Sequence, residues 1–180
     1  MPRLFSAIEI PHGIVSRLSM LREPMTGARW VEPEDYHLTL RFLGDVDGAI
    51  ARDFAAALED VALPEFDLAL DGLGAFGGVK PHAIFASVTK AEPLLALQRA
   101  HERAARAAGL EPEGRKFAPH VTLARLRGVR DETVARYLGR FGAFRTSPFP
   151  VGRFVIYSAR DSVGGGPYVV EDAYPLRETA

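Results

Sequence analysis

Two short stretches of the chain share one pattern, His-x-Thr-x with aliphatic residues at x: His37-Leu38-Thr39-Leu40 and His120-Val121-Thr122-Leu123. Five histidines and seven threonines in 180 positions give roughly 0.2 chance occurrences of His-x-Thr, and about 0.04 once both x positions must be apolar. Two occurrences therefore call for an explanation. Imidazole titrates near neutrality, so one histidine of a pair can donate a proton while the other accepts one. A threonine hydroxyl can donate to the non-bridging oxygens of a phosphodiester and hold it in line between the two rings. The residue types together suit acid–base cleavage of a phosphodiester.

Alternate residues of a strand share a face, so each His would lie beside its Thr while Leu38, Leu40, Val121 and Leu123 face the core. Two related strands brought together would set two imidazoles and two hydroxyls across a cleft. Each motif supplies only one good metal ligand, and the chain has no cysteine, so no metal is expected. Disulfides, thiolate metal sites and a cysteine nucleophile are excluded outright.

Strand-like stretches with period-2 patterning occur at 4–10, 36–43, 66–70, 83–88, 120–126, 154–158 and 168–174. The last two read as a hairpin around Gly164-Gly165-Gly166, and the Gly/Pro cluster at 72–81 as a turn. Apolar residues recur at helical spacing in four places: Ile14/Leu18/Leu21, Ile50/Phe54/Leu58, Leu94/Leu97/Ala104 and Val134/Leu138/Phe141. Pro93 suits a first helical turn, Gly109 a helix stop and Asp131 an N-cap. Strands that do not alternate strictly with helices predict an α+β fold with antiparallel sheets. A strand, turn and helix recur at 36–60 and 120–140, the mark of a duplicated unit of about 90 residues, and 1–180 is expected to form one two-lobed domain.

Apolar residues make up 47% of the chain and charged residues 25%, enough for a core without staples. The net charge of −1 hides an uneven distribution. Residues 115–153 hold nine basic and two acidic side chains, a surplus of +7 that leaves −8 for the rest. Such a segment could meet phosphate. The N-terminal apolar run is too short for a signal peptide and contains Glu9, and no window suits a membrane span. A cytoplasmic protein is expected.

These residues resemble the two-histidine phosphoesterases, and within them the LigT-like RNA 2′,3′-cyclic phosphodiesterases, also called 2′-5′ RNA ligases. The resemblance extends to residues 3–11, Arg29-Trp30-Val31, 36–44, 117–125 and 154–158 in the same order, and is weakest at 61–80 and the C-terminus. It implies two lobes related by a pseudo-twofold axis, with antiparallel sheets lining a central cleft and helices outside. It implies hydrolysis of RNA 2′,3′-cyclic phosphates to 2′-phosphomonoesters without metal or cofactor, with 2′-5′ ligation as the reverse activity. His37 would be the proton donor and His120 the acceptor, with Thr39 and Thr122 on the phosphate. The expected partners are RNA with 2′,3′-cyclic phosphate or 5′-hydroxyl ends and nucleotides, with no membrane, and the chain is expected to be a monomer.

Arg125 would assist phosphate binding by the same resemblance, although strict alternation turns it away from His120 unless a bulge re-aims it. Arg41 shares the His37 face by alternation and is a candidate for the RNA backbone, against an ordinary ion-paired arginine. Of the remaining histidines, His101 is expected at the surface and His12 near a helix start, while His82 alone is placed to edge a cleft. Phe5, Trp30 and Phe42 are expected in the core, with base stacking as the other reading. Two alternatives remain: a hydrolase of small cyclic phosphates such as ADP-ribose cyclic phosphate, and a nucleotide- or RNA-binding module without turnover.

Overall fold

The computed structural model describes residues 3–159 and 167–178. Ten strands and four helices follow one another as β1 (Arg3–Glu9), α1 (His12–Ser19), β2 (Ala28–Trp30), β3 (His37–Asp45), α2 (Gly48–Glu59), β4 (Phe66–Leu68), β5 (Leu70–Phe76), β6 (Ala83–Val88), α3 (Glu92–Ala107), β7 (His120–Leu126), α4 (Asp131–Phe141), β8 (Phe149–Val151), β9 (Arg153–Ala159) and β10 (Tyr168–Pro175). The fold is α+β with antiparallel sheets. The main sheet runs β10-β9-β1-β3-β7-β6-β5, with β2 added beside β7, and β4 pairs with β8 apart from it.

The halves of the sheet meet at its centre through one registered pair, Leu38 with Val121. On one side β1 pairs with β3, and on the other β6 pairs with β7. Their registers correspond step for step. Ser6 faces Arg41 and Ala7 faces Thr39, skipping Leu40; Ile84 faces Ala124 and Phe85 faces Thr122, skipping Leu123. Each half thus carries a β-bulge one residue after its threonine. A bulge places two successive side chains on one face and reverses the alternation beyond it. The burial patterns show this, with Leu40 and Arg41 buried before exposed Phe42, and Leu123 and Ala124 buried before exposed Arg125.

All four helices lie on the face that carries Leu38 and Val121. Helices α2 and α3 pack together over the β3 side, and Trp30 meets Tyr137 of α4 on the β2–β7 side. Tyr137 is buried, and its hydroxyl donates to the Leu21 carbonyl just past α1. The helix ends follow from sequence. Pro93 sits in the first turn of α3, and Asp47 caps α2 by accepting from the Ile50 N–H. Gly109, at φ +99°, closes α3 with hydrogen bonds from Gly109 and Leu110 back to the Arg106 and Ala105 carbonyls, a left-handed turn that favours glycine. Asp131 opens α4 as its first helical residue, one position inside the cap expected for it.

Three expectations are corrected. The cluster at 72–81 is not a turn throughout, because β5 continues to Phe76; a bulge between Leu70 and Leu73 takes up Gly72, and the pairing with β6 resumes through Leu73 and Gly74. His101 is fully buried, not at the surface. It lies between Phe54 and Phe154, with Nδ1 2.7 Å from the Ser6 hydroxyl. Its helix is covered on that side by the sheet, and a lone histidine in a helical pattern gives no sign of this. Phe42 is 45% exposed rather than in the core, because the bulge turns it outward. The two strands of the expected hairpin pair as β9 and β10, and the glycine triplet lies outside the described residues.

Candidate active site

The face opposite the helices holds a cavity of about 670 Å³ lined by His37, Thr39, His120, Thr122 and Arg125. The central Leu38–Val121 pair of antiparallel strands sets each histidine beside the other motif's threonine. Within the first motif, the Thr39 hydroxyl lies 3.1 Å from His37 Nε2.

Both imidazoles are held the same way. His37 Nδ1 is 2.8 Å from the Asp35 carbonyl, and His120 Nδ1 is 2.6 Å from the Ala118 carbonyl, in each case two residues back. A carbonyl only accepts, so each Nδ1 carries the hydrogen and donates it. The tautomer is thereby fixed, which leaves Nε2 as the nitrogen able to give or take a proton.

Aromatic rings enclose His37: Phe5 at 4.8 Å between centroids, Tyr168 edge-on at 5.1 Å and Tyr157 at 5.9 Å. Burial among them pulls His37 from 6.5 down to about 4, against the hydrogen bond to the Asp35 carbonyl, and the positive charges of Arg125 and His120 add to the depression. In the second half Phe76 lies 4.9 Å and Phe85 5.6 Å from the His120 ring. His82 stacks on Phe76 and lines the same cavity.

The bulges decide where the two arginines go. Beyond Leu123 and Ala124, Arg125 returns to the cavity side and lines it. Arg41, across from Ser6 after its bulge, is buried rather than exposed beside His37 as alternation expects, although it still contributes to the wall of the same cavity. It is 7% exposed and donates from Nε to Glu102 at 2.6 Å, and from its terminal nitrogens to the Phe42 and Glu111 carbonyls, both at 2.6 Å. Glu102 also accepts from Arg106 and from the Glu113 N–H. Burial pushes the Glu102 carboxyl up, but these donors outweigh it and hold it below its usual range. Arg41 thus ties strand β3 to the connection between α3 and β7, whose Arg115 and Lys116 line the cavity.

The rings around the histidines escape a reading of the sequence, whereas Arg115 and Lys116 open the basic segment 115–153 read there as able to meet phosphate. Tyr157 and Tyr168 come from the far end of the chain, and Phe5 from its beginning. Only the alternation of β1, which puts Phe5 and Ala7 on the face opposite Leu4 and Ile8, offered a signal. Among the described residues, no group of three or more His, Asp or Glu is placed to hold a metal ion, and no helix is long and apolar enough to cross a membrane.

Known proteins share both the sequence and the fold. A family model described as LigT like Phosphoesterase matches the chain twice, at 8–86 and 84–168. An RNA 2′,3′-cyclic phosphodiesterase of Aeropyrum pernix is 36% identical over 66% of this chain and 70% of its own length. One of Aquifex aeolicus is 31% identical over 81% of each. Among solved structures, TT0787 of Thermus thermophilus superposes with a TM-score of 0.79 at 27% identity, covering 99% of this chain and 100% of its own. Escherichia coli LigT complexed with 3′-AMP has the same TM-score at 24% identity, covering 98% of this chain and 99% of its own. Each of the two family matches contains one His-x-Thr-x motif on a bulged strand, and the chain belongs to the LigT-like phosphoesterase family.

Proposed function

We propose that the chain hydrolyses 2′,3′-cyclic phosphate ends of RNA to 2′-phosphomonoesters, with the two motif histidines as acid and base. The observation that carries this reading is the matched pair of imidazoles, each with Nδ1 tied to a backbone carbonyl, on one cavity with two threonines and Arg125. The relatives' names supply the substrate class. Water attacks phosphorus while His120 Nε2 takes its proton. The P–O3′ bond breaks, and His37 Nε2–H gives its proton to the departing 3′ oxygen. The ribose keeps the phosphate on its 2′ oxygen, and solvent resets both rings. Thr39, Thr122 and Arg125 hold the non-bridging oxygens and offset the charge that gathers on them. Each proton transfer contributes about 10²- to 10⁴-fold in rate, and the fixed rings add positioning.

His37 is neutral at pH 7 in the free protein, held down at about 4, so it acquires its proton with the substrate. The phosphodiester anion counters the positive charge of Arg125 and favours the imidazolium. A 5′-hydroxyl in the water's place would turn the same displacement into formation of a 2′–5′ linkage. Acid, base and charge stabilisation all come from side chains, so the reading requires no metal.

Product analysis on an RNA oligonucleotide with a 2′,3′-cyclic phosphate, in excess EDTA, tests it. The expected product carries phosphate on the 2′ oxygen, with turnover falling by about 10²-fold or more in His37→Ala and in His120→Ala. A 3′-phosphate product, or full activity in both variants, refutes the assignment.

A further inference from the structure

Half of the arginines among the described residues pair with a carboxylate, among them Arg3 with Asp45, Arg22 with Glu32, Arg145 with Asp71 and Arg153 with Glu9. Five that do not have a side-chain partner are Arg29, Arg125, Arg127, Arg130 and Arg136, all exposed, and they follow one another from the β2–β7 ribbon to the start of α4. Arg29 of β2 stands directly across from Arg125 of β7, which lines the catalytic cavity. Leu126 is buried and Arg127 exposed, so Arg127 continues the Arg125 face. Its N–H donates to the Gly27 carbonyl, where the ribbon ends.

There a second cavity of about 740 Å³ begins, lined by Thr26, Gly128, Arg130, Thr133, Arg136 and Arg140 among others. Glu23 is the one acid in its wall, and Arg140 takes it up in an ion pair. The step from Arg125 to Gly128 is about 10 Å at the rise of a strand. A run of unpaired cations on a chain of net charge −1 costs repulsion unless an anion of matching shape lies along it. The ribbon is two strands wide and opens onto the phosphoester site, which suits one strand of nucleic acid better than a duplex.

We infer that the β2–β7 ribbon and the cavity at the start of α4 form an extended site for single-stranded RNA, taking the backbone phosphates several nucleotides from the reacting end. The inference rests on the proposed function for its choice of RNA. A site of this kind binds sequence-independently and with a steep dependence on salt.

The test is anisotropy of a labelled pentaribonucleotide ending in a 2′-phosphate, titrated with protein over a salt series. Arg127→Ala/Arg130→Ala/Arg136→Ala is expected to weaken binding roughly tenfold or more and to flatten the plot of log Kd against log salt by about 0.7 for each contact removed. Arg52→Ala/Arg103→Ala/Arg177→Ala removes the same charge from exposed, unpaired arginines off the ribbon, and is expected to change neither. Wild-type affinity in the first variant overturns the inference, as does equal loss in both. Poly-glutamate competing as well as a non-specific RNA also overturns it, since the ribbon would then suit an acidic polypeptide. Turnover of an RNA oligonucleotide ending in a 2′,3′-cyclic phosphate, followed in parallel, keeps the two readings apart: its absence from the wild type refutes the reaction while ribbon-dependent binding upholds the site.

Discussion

Leu38 and Val121 face each other across the middle of the sheet, the one registered pair between β3 and β7, and both are almost wholly buried. A single backbone contact and the side chains beneath it therefore fix how far His37 stands from His120. Truncating Leu38→Ala leaves a gap at that joint, and a buried leucine lost to alanine costs about 2–5 kcal/mol. Denaturant unfolding is expected to show that loss. Activity, measured where the variant is still folded, is expected to fall more in kcat than in KM, because the two rings lose their mutual alignment.

The Arg41–Glu102 pair predicts a different split. Removing one partner of a buried pair strands the other, at about 3–5 kcal/mol, so Arg41→Met should lower the unfolding midpoint substantially. The same arginine anchors the Glu111 carbonyl, so the segment with Arg115 and Lys116 loosens. KM for an oligonucleotide is expected to rise while kcat stays within a few-fold. A large drop in kcat with unchanged KM would place Arg41 in the chemistry instead.

Acid sensitivity follows from His37 and His101. Burial holds His101 down at about 3 and His37 at about 4, against 6.5 for a solvated imidazole. Below 6.5 the unfolded chain takes up protons that the folded chain refuses, so protonation favours unfolding. Their contribution to stability is complete above pH 6.5 and is lost as pH falls toward 4 for His37 and 3 for His101. The slope is about 1.4 kcal/mol per pH unit for each ring. Urea midpoints measured from pH 7 to pH 4 are expected to fall steadily, and His101→Gln is expected to remove one ring's share of the slope.

Ligand binding should also move a proton. If the phosphate anion restores the charge of His37, a nucleoside 2′-phosphate binds at pH 6 with uptake of up to one proton. Calorimetry in buffers of different ionisation enthalpy measures it directly. His37→Gln is expected to abolish the His37 share of that uptake, and uptake unchanged in this variant would assign the proton elsewhere.

Strands β6 and β7 were legible to the residue, because their alternation is strong and both lie well inside the sheet. The motif face was legible for the same reason, since period 2 needs only local sequence. The bulges were not. They arise from matching β3 to β1 and β7 to β6, and nothing in 37–45 alone shows that Leu40 will be skipped. Arg41 shows the consequence: alternation holds up to Thr39, but two residues later the side chain is buried and ion-paired, and its partner Glu102 lies on another element, 61 positions away. His101 was misplaced for a related reason, because a helix covered on two sides needs more than one apolar stripe. The aromatic enclosure of His37 gathers residues from both ends of the chain, a proximity set by strand order rather than by any segment.

The paired bulges present unlike residues at corresponding positions, Phe42 in one half and Arg125 in the other. A cleft with true twofold symmetry would greet a phosphodiester identically from either direction and could not assign its two histidines different work. With a ring at one rim and a guanidinium at the other, the cleft has a handedness. Under the proposed reaction, a strand of RNA that seeks the cation would enter with one polarity, and that polarity would tell the two imidazoles apart.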